Sequence, residues 1–407
     1  MLCGLDQLSS GEFSSLRRRL RSERVAVLTH AAAVDRRGRH VLIVLEELGV
    51  KPSLVFAPEH GLESHAQAEV QLPSIEGATA SSASTKVVSL YGDSKGSLKP
   101  SAESLAEADL LLIDLVDIGA RYYTYVWTAL LAARAARDAG VHCVVLDRPN
   151  PISGNPASLE GKPQQEGFLS FVGLECIPIR HALTIGEILT YFLERDGAPL
   201  GADGALSAVP MRGWERHRTA AAWDRPFVMP SPNMPTLETA TVYPGGCLVE
   251  GTNLSEGRGT TVPFQLVGAP FLDGRALAAA LEEIGTPGAM IRPVVFQPQF
   301  EKHAGAVCSG VMVHVTNPAM FKPVSTYLRL ITLAHHQAPS EFAFRTEPYE
   351  FENDIPAFDL LTGSDAARAA IGEGAPAEDV ADLVAPVGPE WAEALPAMES
   401  RTVAARA

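Results

Sequence analysis

Side chains able to do acid–base work gather in a few short segments of this 407-residue sequence. Pro58-Glu59-His60-Gly61 sets a carboxyl and an imidazole between a proline and a glycine. Asp114 and Asp117 precede Arg121, and Asp147-Arg148-Pro149-Asn150 again joins acid, guanidinium and amide. In the second half, Glu250-Gly-Thr-Asn-Leu-Ser-Glu256-Gly-Arg258-Gly-Thr-Thr261 mixes carboxylates, an arginine and glycines, as backbone held close to something would. A carboxyl that follows an apolar strand is a candidate general acid, because partial burial favours its protonated form. Asp117 and Arg121, four residues apart, suggest a local ion pair in which the acid positions the base. Glu187, three residues after Thr184, reads as the partner of a helix cap rather than a catalyst.

These segments sit where an α/β sheet would put them. Arg24–His30, Ser53–Ala57, Lys86–Leu90, Leu110–Leu115 and Val141–Leu146 are short apolar runs rich in Val, Ile and Leu. Between them His40–Leu48 and Thr124–Ala139 have helical spacing and stop at Gly49 and Gly140. Near-continuous apolar strands separated by helices predict a parallel sheet buried on both faces. Ligands bind such sheets at the carboxyl ends of the strands, which is where Glu59, Asp114, Asp117 and Asp147–Asn150 fall. The fold class expected is α/β: a Rossmann-like, mostly parallel sheet domain over residues 1–204, packed against a second, smaller α/β domain over 205–407. A helix over Leu183–Arg195 closes the first domain. The second carries the rigid Met229-Pro-Ser-Pro-Asn-Met-Pro235 loop, strands at Phe296–Phe300 and Val311–Val315, and a final helix at Pro389–Ala405.

Several function classes drop out. No G-x-G-x-x-G follows the first strand, where Thr29-His30-Ala31-Ala32-Ala33 stands, and no G-x-x-x-x-G-K-[ST] loop exists. There is no H-E-x-x-H helix. A formal charge of −15 argues against nucleic acid and anionic membranes. Arg17, Arg18, Arg19, Arg21 and Arg24, flanked by Glu12 and Glu23, read as a solvated helix face. Five scattered cysteines without C-x-x-C spacing signal neither zinc nor redox chemistry, and His60, His65 and the aspartates lack metal-ligand spacing. No cofactor and no metal are expected. The start of the sequence lacks a charged-then-apolar leader, so a cytoplasmic protein is expected as the sequence stands, or a periplasmic or secreted one if a leader was removed.

The motifs, taken in order, resemble one bacterial family. They are Ala57-Pro-Glu-His-Gly-Leu62, Ser89-Leu-Tyr-Gly92, Asp114-Leu-Val-Asp-Ile-Gly-Ala-Arg-Tyr-Tyr-Thr-Tyr125 and Leu146-Asp-Arg-Pro-Asn-Pro151. Ser170-Phe-Val-Gly173, Pro230-Ser-Pro-Asn-Met-Pro235, Tyr243-Pro-Gly245 and Glu250–Thr260 continue the series. The chain is similar along nearly its whole length to the exo-β-N-acetylmuramidases of peptidoglycan turnover. Val116 stands where that family usually has glutamine. The resemblance implies a Rossmann-like domain packed on a second α/β domain with the active site in the cleft between them. It also implies release of terminal N-acetylmuramic acid from the non-reducing end of peptidoglycan-derived saccharides or muropeptides, without nucleotide or metal.

Under that resemblance, Glu59 is the expected acid, and Glu250 and Glu256 are the candidates for a second carboxylate. The alternative is substrate assistance, in which the sugar's acetamido group attacks and a carboxylate orients it. Arg121 or Arg258 is expected to grip the lactyl carboxylate through a bidentate fork, or else to tie loops together. His60 and His181 are polar candidates, with Asp117 behind Arg121. Tyr123, with Tyr122 and Tyr125, offers an aromatic wall to a sugar face, although at least one of the three belongs in the core. Asn150, Asn233 and Asn253 carry amides suited to hydroxyl and acetamido groups, or to turns. Two other classes share the same cleft: a non-catalytic muropeptide- or sugar-binding protein, and a metal-assisted hydrolase of another cell-wall bond.

Overall fold

A computed structural model describes residues 1–67, 70 and 85–405 of the protein. Six strands form one wholly parallel sheet: β1 (Val25–Thr29), β2 (Leu54–Ala57), β3 (Lys86–Ser89), β4 (Leu110–Asp114), β5 (His142–Leu146) and β6 (Leu206–Val209). Their order is β3-β2-β1-β4-β5-β6, with β1 in register against both β2 (Val27 opposite Val55) and β4 (Val27 opposite Leu112). This is the doubly wound order, whose reversal between β1 and β4 opens a crevice at the carboxyl edge. All residues of β1, β2 and β4 are buried, which explains why those strands read as unbroken apolar runs.

Helices cover both faces. The helix Tyr125–Asp138 follows β4, and the helix Ile185–Arg195 packs beside it. The latter starts with the expected capping box: Thr184 Oγ1 accepts the Glu187 N–H at 3.1 Å, and Glu187 Oε2 accepts the Thr184 N–H at 2.9 Å. Glu187 is also paired with Arg216. The C-terminal helix Pro389–Ala404 returns to pack on Ile185–Arg195, and the Ala208 N–H of β6 donates to the Ala405 carbonyl at 2.8 Å.

The smaller sheet is antiparallel: β7 (Leu266–Ala269), β9 (Cys308–Val315) and β8 (Ala289–Phe296), in the order β7-β9-β8. Helix Gly274–Ile284 backs it, and helix Pro323–Gln337 packs in turn on that helix. The strand expected at Phe296–Phe300 is therefore corrected to Ala289–Phe296, and that expected at Val311–Val315 starts earlier, at Cys308. Pro293 argues against a strand in sequence, but β8 is an edge, where a missing N–H breaks no inner ladder. One continuous apolar core runs from the large sheet through Tyr122, Tyr243 and Phe264 into the small one. All five cysteines are free, and all but Cys176 are buried.

Candidate active site

The carboxyl edge of the large sheet faces the second lobe across a cleft of about 550 Å³. Chain from both halves lines it. β2 ends at Ala57, and Pro58 turns the chain so that Glu59 and His60 enter the cleft. Glu59 is 5% exposed, and its Oε2 accepts the Thr124 hydroxyl at 3.0 Å. Tyr125 holds the same turn from below, its hydroxyl lying 3.1 Å from the Glu59 carbonyl and 3.2 Å from that of Pro230. His60 has φ 68°, a left-handed conformation that strains a residue with a β-carbon. Its Nδ1 donates to the Ala66 carbonyl at 2.8 Å.

Beneath Glu59 the turn rests on a buried histidine. His30, at the end of β1, is held neutral by burial and by nearby Arg148, its value pushed down to about 3. A neutral Nε2 can accept the Val116 N–H, as it does at 3.0 Å, which joins the ends of β1 and β4. The His30 ring meets Tyr125 edge-on at 4.9 Å. Tyr122, Tyr123 and Tyr125 are all nearly buried and, with Tyr243 and Phe264, form an interlocked floor with ring centroids 4.7–6.0 Å apart. That floor is both wall and core.

The opposite wall is a charge cluster. The helix Leu237–Gly246 runs into a 3-10 turn, Cys247–Gly251, that delivers Glu250. Arg258 Nη2 donates to Glu250 Oε1 at 2.7 Å, and its Nε lies 3.2 Å from Glu256 Oε1. The Tyr349 hydroxyl donates to Glu250 Oε2 at 2.7 Å. Lys302 sits 2.9 Å from Glu256 Oε2 and donates to the Val249 and Leu254 carbonyls at 2.9 and 3.0 Å. The Arg258 guanidinium lies 5.2 Å from the centre of the Phe264 ring. Burial pushes the Glu250 carboxyl up, but Arg258, with Tyr349 and Lys302, outweighs it and holds it below the usual carboxylate range. Gly259, at φ 77°, allows the loop its path, since a β-carbon there would come within 2.6 Å of the Phe300 nitrogen.

Of the residues singled out in sequence, Glu59, His60, Tyr123, Asn233, Asn253, Glu250, Glu256 and Arg258 line this cleft. Asn233 donates to Gln67 Oε1 at 2.7 Å. Asn253 spends its amide on the Glu341 carbonyl and the Ala343 N–H, at 2.8 and 3.0 Å, so it joins two loops. Four others do not reach the cleft. Arg121 is fully buried and donates to the carbonyls of Lys162, Ile177 and Leu361 at 3.0, 3.1 and 2.7 Å. Burial pushes it down to about 10. It therefore grips no ligand and makes no ion pair with Asp117, contrary to the expectation from their spacing. Asp117 instead accepts the Gly119 N–H at 2.8 Å and faces His181 Nε2 at 3.4 Å, and both side chains are buried. Gly119, at φ 84°, bends the chain between acid and base, and a β-carbon there would collide with the Asn150 amide at 2.5 Å. Asn150 is a brace under that turn, bonded to the Leu183 carbonyl and the Ile152 N–H at 3.0 and 3.1 Å.

Sequence reasoning passed over Lys302, Tyr349, Glu350 and Arg345, which also line the cleft. One signal was available: Pro348-Tyr-Glu-Phe-Glu352 alternates aromatic and acid in an otherwise irregular stretch. Glu350 and Glu301, like His60, hold positive φ, at 49° and 63°, so backbone strain gathers around the cleft. Among the described residues, no group of three or more His, Cys, Asp or Glu side chains is gathered as metal ligands. No described helix is long and apolar enough to cross a membrane.

Fold and site together define a two-lobed α/β protein whose interlobe cleft is lined with carboxylates, cations and aromatic rings. Residues 25–238 match the family model described as exo-β-N-acetylmuramidase NamZ, N-terminal, and residues 241–396 match its C-terminal counterpart. Over 366 residues the chain is 38% identical to the peptidoglycan β-N-acetylmuramidase NamZ of Bacillus subtilis (strain 168), covering 89% of this chain and 83% of the relative. A crystal structure of a DUF1343 family protein from Bacteroides fragilis superposes with a TM-score of 0.81 at 26% identity, covering 99% of this chain and 97% of that one. A second DUF1343 protein of the same organism shares the fold, with a TM-score of 0.69 at 23% identity over 100% of this chain and 98% of that one. The chain belongs to the exo-β-N-acetylmuramidase NamZ family.

Proposed function

We propose that this protein is a glycoside hydrolase that releases N-acetylmuramic acid from the non-reducing end of peptidoglycan fragments, with Glu59 as the general acid. The relative from Bacillus subtilis carries the name of that activity and aligns over both lobes. The observation that carries the reading is the cleft itself: Glu59, from the carboxyl edge of a parallel sheet, shares it with the Glu250–Arg258–Glu256–Lys302 cluster of the other lobe. Glycoside cleavage needs a carboxylic acid on the leaving oxygen and a second group for the oxocarbenium-like centre. Glu59 is nearly buried and oriented by Thr124. The tyrosine floor suits a sugar face, and Arg258, Lys302 and Arg345 supply positive charge for a lactyl carboxylate.

The test is release of a chromophore from a β-N-acetylmuramic acid glycoside, with the β-N-acetylglucosamine glycoside as control. Turnover confined to the muramic substrate supports the reaction, and its loss in Glu59→Gln on a muramic acid disaccharide, whose poor leaving group needs a proton, supports the acid. Saturable muropeptide binding without turnover would replace the enzyme reading with a binding protein. Full activity of Glu59→Gln on that disaccharide would keep the enzyme and remove Glu59 from the reaction.

A further inference from the structure

The carboxylates of the far wall are immobilised. Glu250 receives Arg258 on one oxygen and the Tyr349 hydroxyl on the other, both at 2.7 Å. Glu256 lies between Arg258 at 3.2 Å and Lys302 at 2.9 Å. Lys302 is anchored in turn by two backbone carbonyls, so it cannot follow a carboxylate that moves. Glu350, also buried in the cleft, takes the Tyr91 hydroxyl at 3.0 Å. Glu301 and Glu347 stand exposed.

A retaining glycosidase with a carboxylate nucleophile must turn one oxygen onto the anomeric carbon; an inverting one needs a carboxylate that takes a proton from water. Glu250 fits neither role. Turning it would strand a buried guanidinium or hydroxyl without its acceptor. The neighbouring cations also make it a weak base. A fixed carboxylate is, however, well suited to accept one more N–H, because its two oxygens offer about four lone-pair positions.

We propose that the sugar's own 2-acetamido group is the nucleophile, with its N–H oriented by Glu250, and that Glu59 acts first as acid and then as base. This rests on the muramidase reading above. In the first step the acetamido carbonyl oxygen bonds to C1 as the C1–O bond to the leaving group breaks, and Glu59 gives its proton to the departing oxygen. The oxazolinium ion that forms keeps its N–H on the Glu250 carboxylate. In the second step water bonds to C1 and gives a proton to Glu59, while the bond from C1 to the acetamido oxygen breaks and restores the amide. Two inversions leave the product with the β configuration.

The experiment uses aryl β-N-acetylmuramic acid glycosides with none, one, two or three fluorines on the acetyl methyl, which drain electron density from the carbonyl oxygen. The expected kcat/KM falls stepwise along the series, with a loss of about 100-fold or more for the trifluoro substrate, the scale of losing an oriented intramolecular reactant. The sugar first released is the β-anomer by NMR, and mass spectrometry finds the protein unmodified. Glu250→Gln lowers kcat by about 100-fold with little change in KM. Rates indifferent to fluorine, an α-anomer released first, or a sugar trapped on Glu250, Glu256, Glu350 or Tyr349 overturns the acetamido step alone. An undiminished kcat in folded Glu250→Gln removes Glu250 from it. No turnover of the unfluorinated glycoside overturns this step and the muramidase reading together.

Discussion

At the scale of single residues, the two lobes divide the chemistry between an oriented acid and a pinned anion. A general acid matters most when the leaving group is poor, because a good leaving group departs without a proton. Glu59→Gln is therefore expected to lose about 10²–10⁴-fold in kcat on a disaccharide and much less on a nitrophenyl glycoside, compared in parallel assays. A second carboxyl bears on stability. Burial and nearby Glu187 raise Asp147 from 3.8 to about 7 in the fold, where it accepts the Thr184 hydroxyl and the Gly186 and Arg148 N–H groups. The folded chain thus keeps a proton that the unfolded chain releases near 3.8. The stability linked to that proton is full below the unfolded value and drains away as pH rises towards about 7. The melting temperature of Asp147→Asn minus that of wild type should rise between about pH 5 and pH 8, because the amide does not titrate.

At the scale of elements, what was legible followed from local rules. β1, β2, β4 and β5 announced themselves because strands buried on both faces favour near-continuous apolar side chains. The Thr184–Glu187 cap was legible because both of its partners lie within one turn. Removing it with Thr184→Ala should cost about 1 kcal/mol in a denaturant melt. β8 was illegible because Pro293 carries the signature of a loop, and only pairing along an edge excuses it. Lys302 and Tyr349 reach Glu256 and Glu250 from 46 and 99 residues away, a distance no spacing rule spans. The loop Glu250–Thr261 was picked out by its glycines, and the geometry explains why. Gly259→Ala combines a forced positive φ with a 2.6 Å approach to the Phe300 nitrogen. Its neighbour Arg258 would shift, and kcat/KM should fall at least about 10-fold. Far-UV circular dichroism would stay near wild type.

At the scale of the whole molecule, Arg121 shows how spacing misleads when topology decides. Its sequence neighbourhood suggests a ligand-gripping arginine. The fold instead sends it away from the cleft, where it bonds carbonyls of Lys162, Ile177 and Leu361 and so ties the first lobe to the second. Arg121→Met would leave those buried acceptors without a donor, a loss of about 3 kcal/mol or more. The expected phenotype is a lowered melting temperature with KM unchanged in the cold, measured on the same preparation. A mutant whose KM rose without loss of stability would instead put Arg121 back among the ligand contacts.

The returning helix Pro389–Ala404 also orders events in time. It covers the helix Ile185–Arg195, and the Ala405 carbonyl accepts the Ala208 N–H of β6. A ribosome makes the helix Ile185–Arg195 almost two hundred residues before it makes this cover. For all of that interval the helix Ile185–Arg195 keeps an apolar flank open, so the first lobe cannot finish folding until this last helix has been made. Nascent chains arrested before residue 389 should therefore be held by chaperones and cut readily by protease, and chains containing all 407 residues, carried clear of the ribosome by an added C-terminal linker, should resist both.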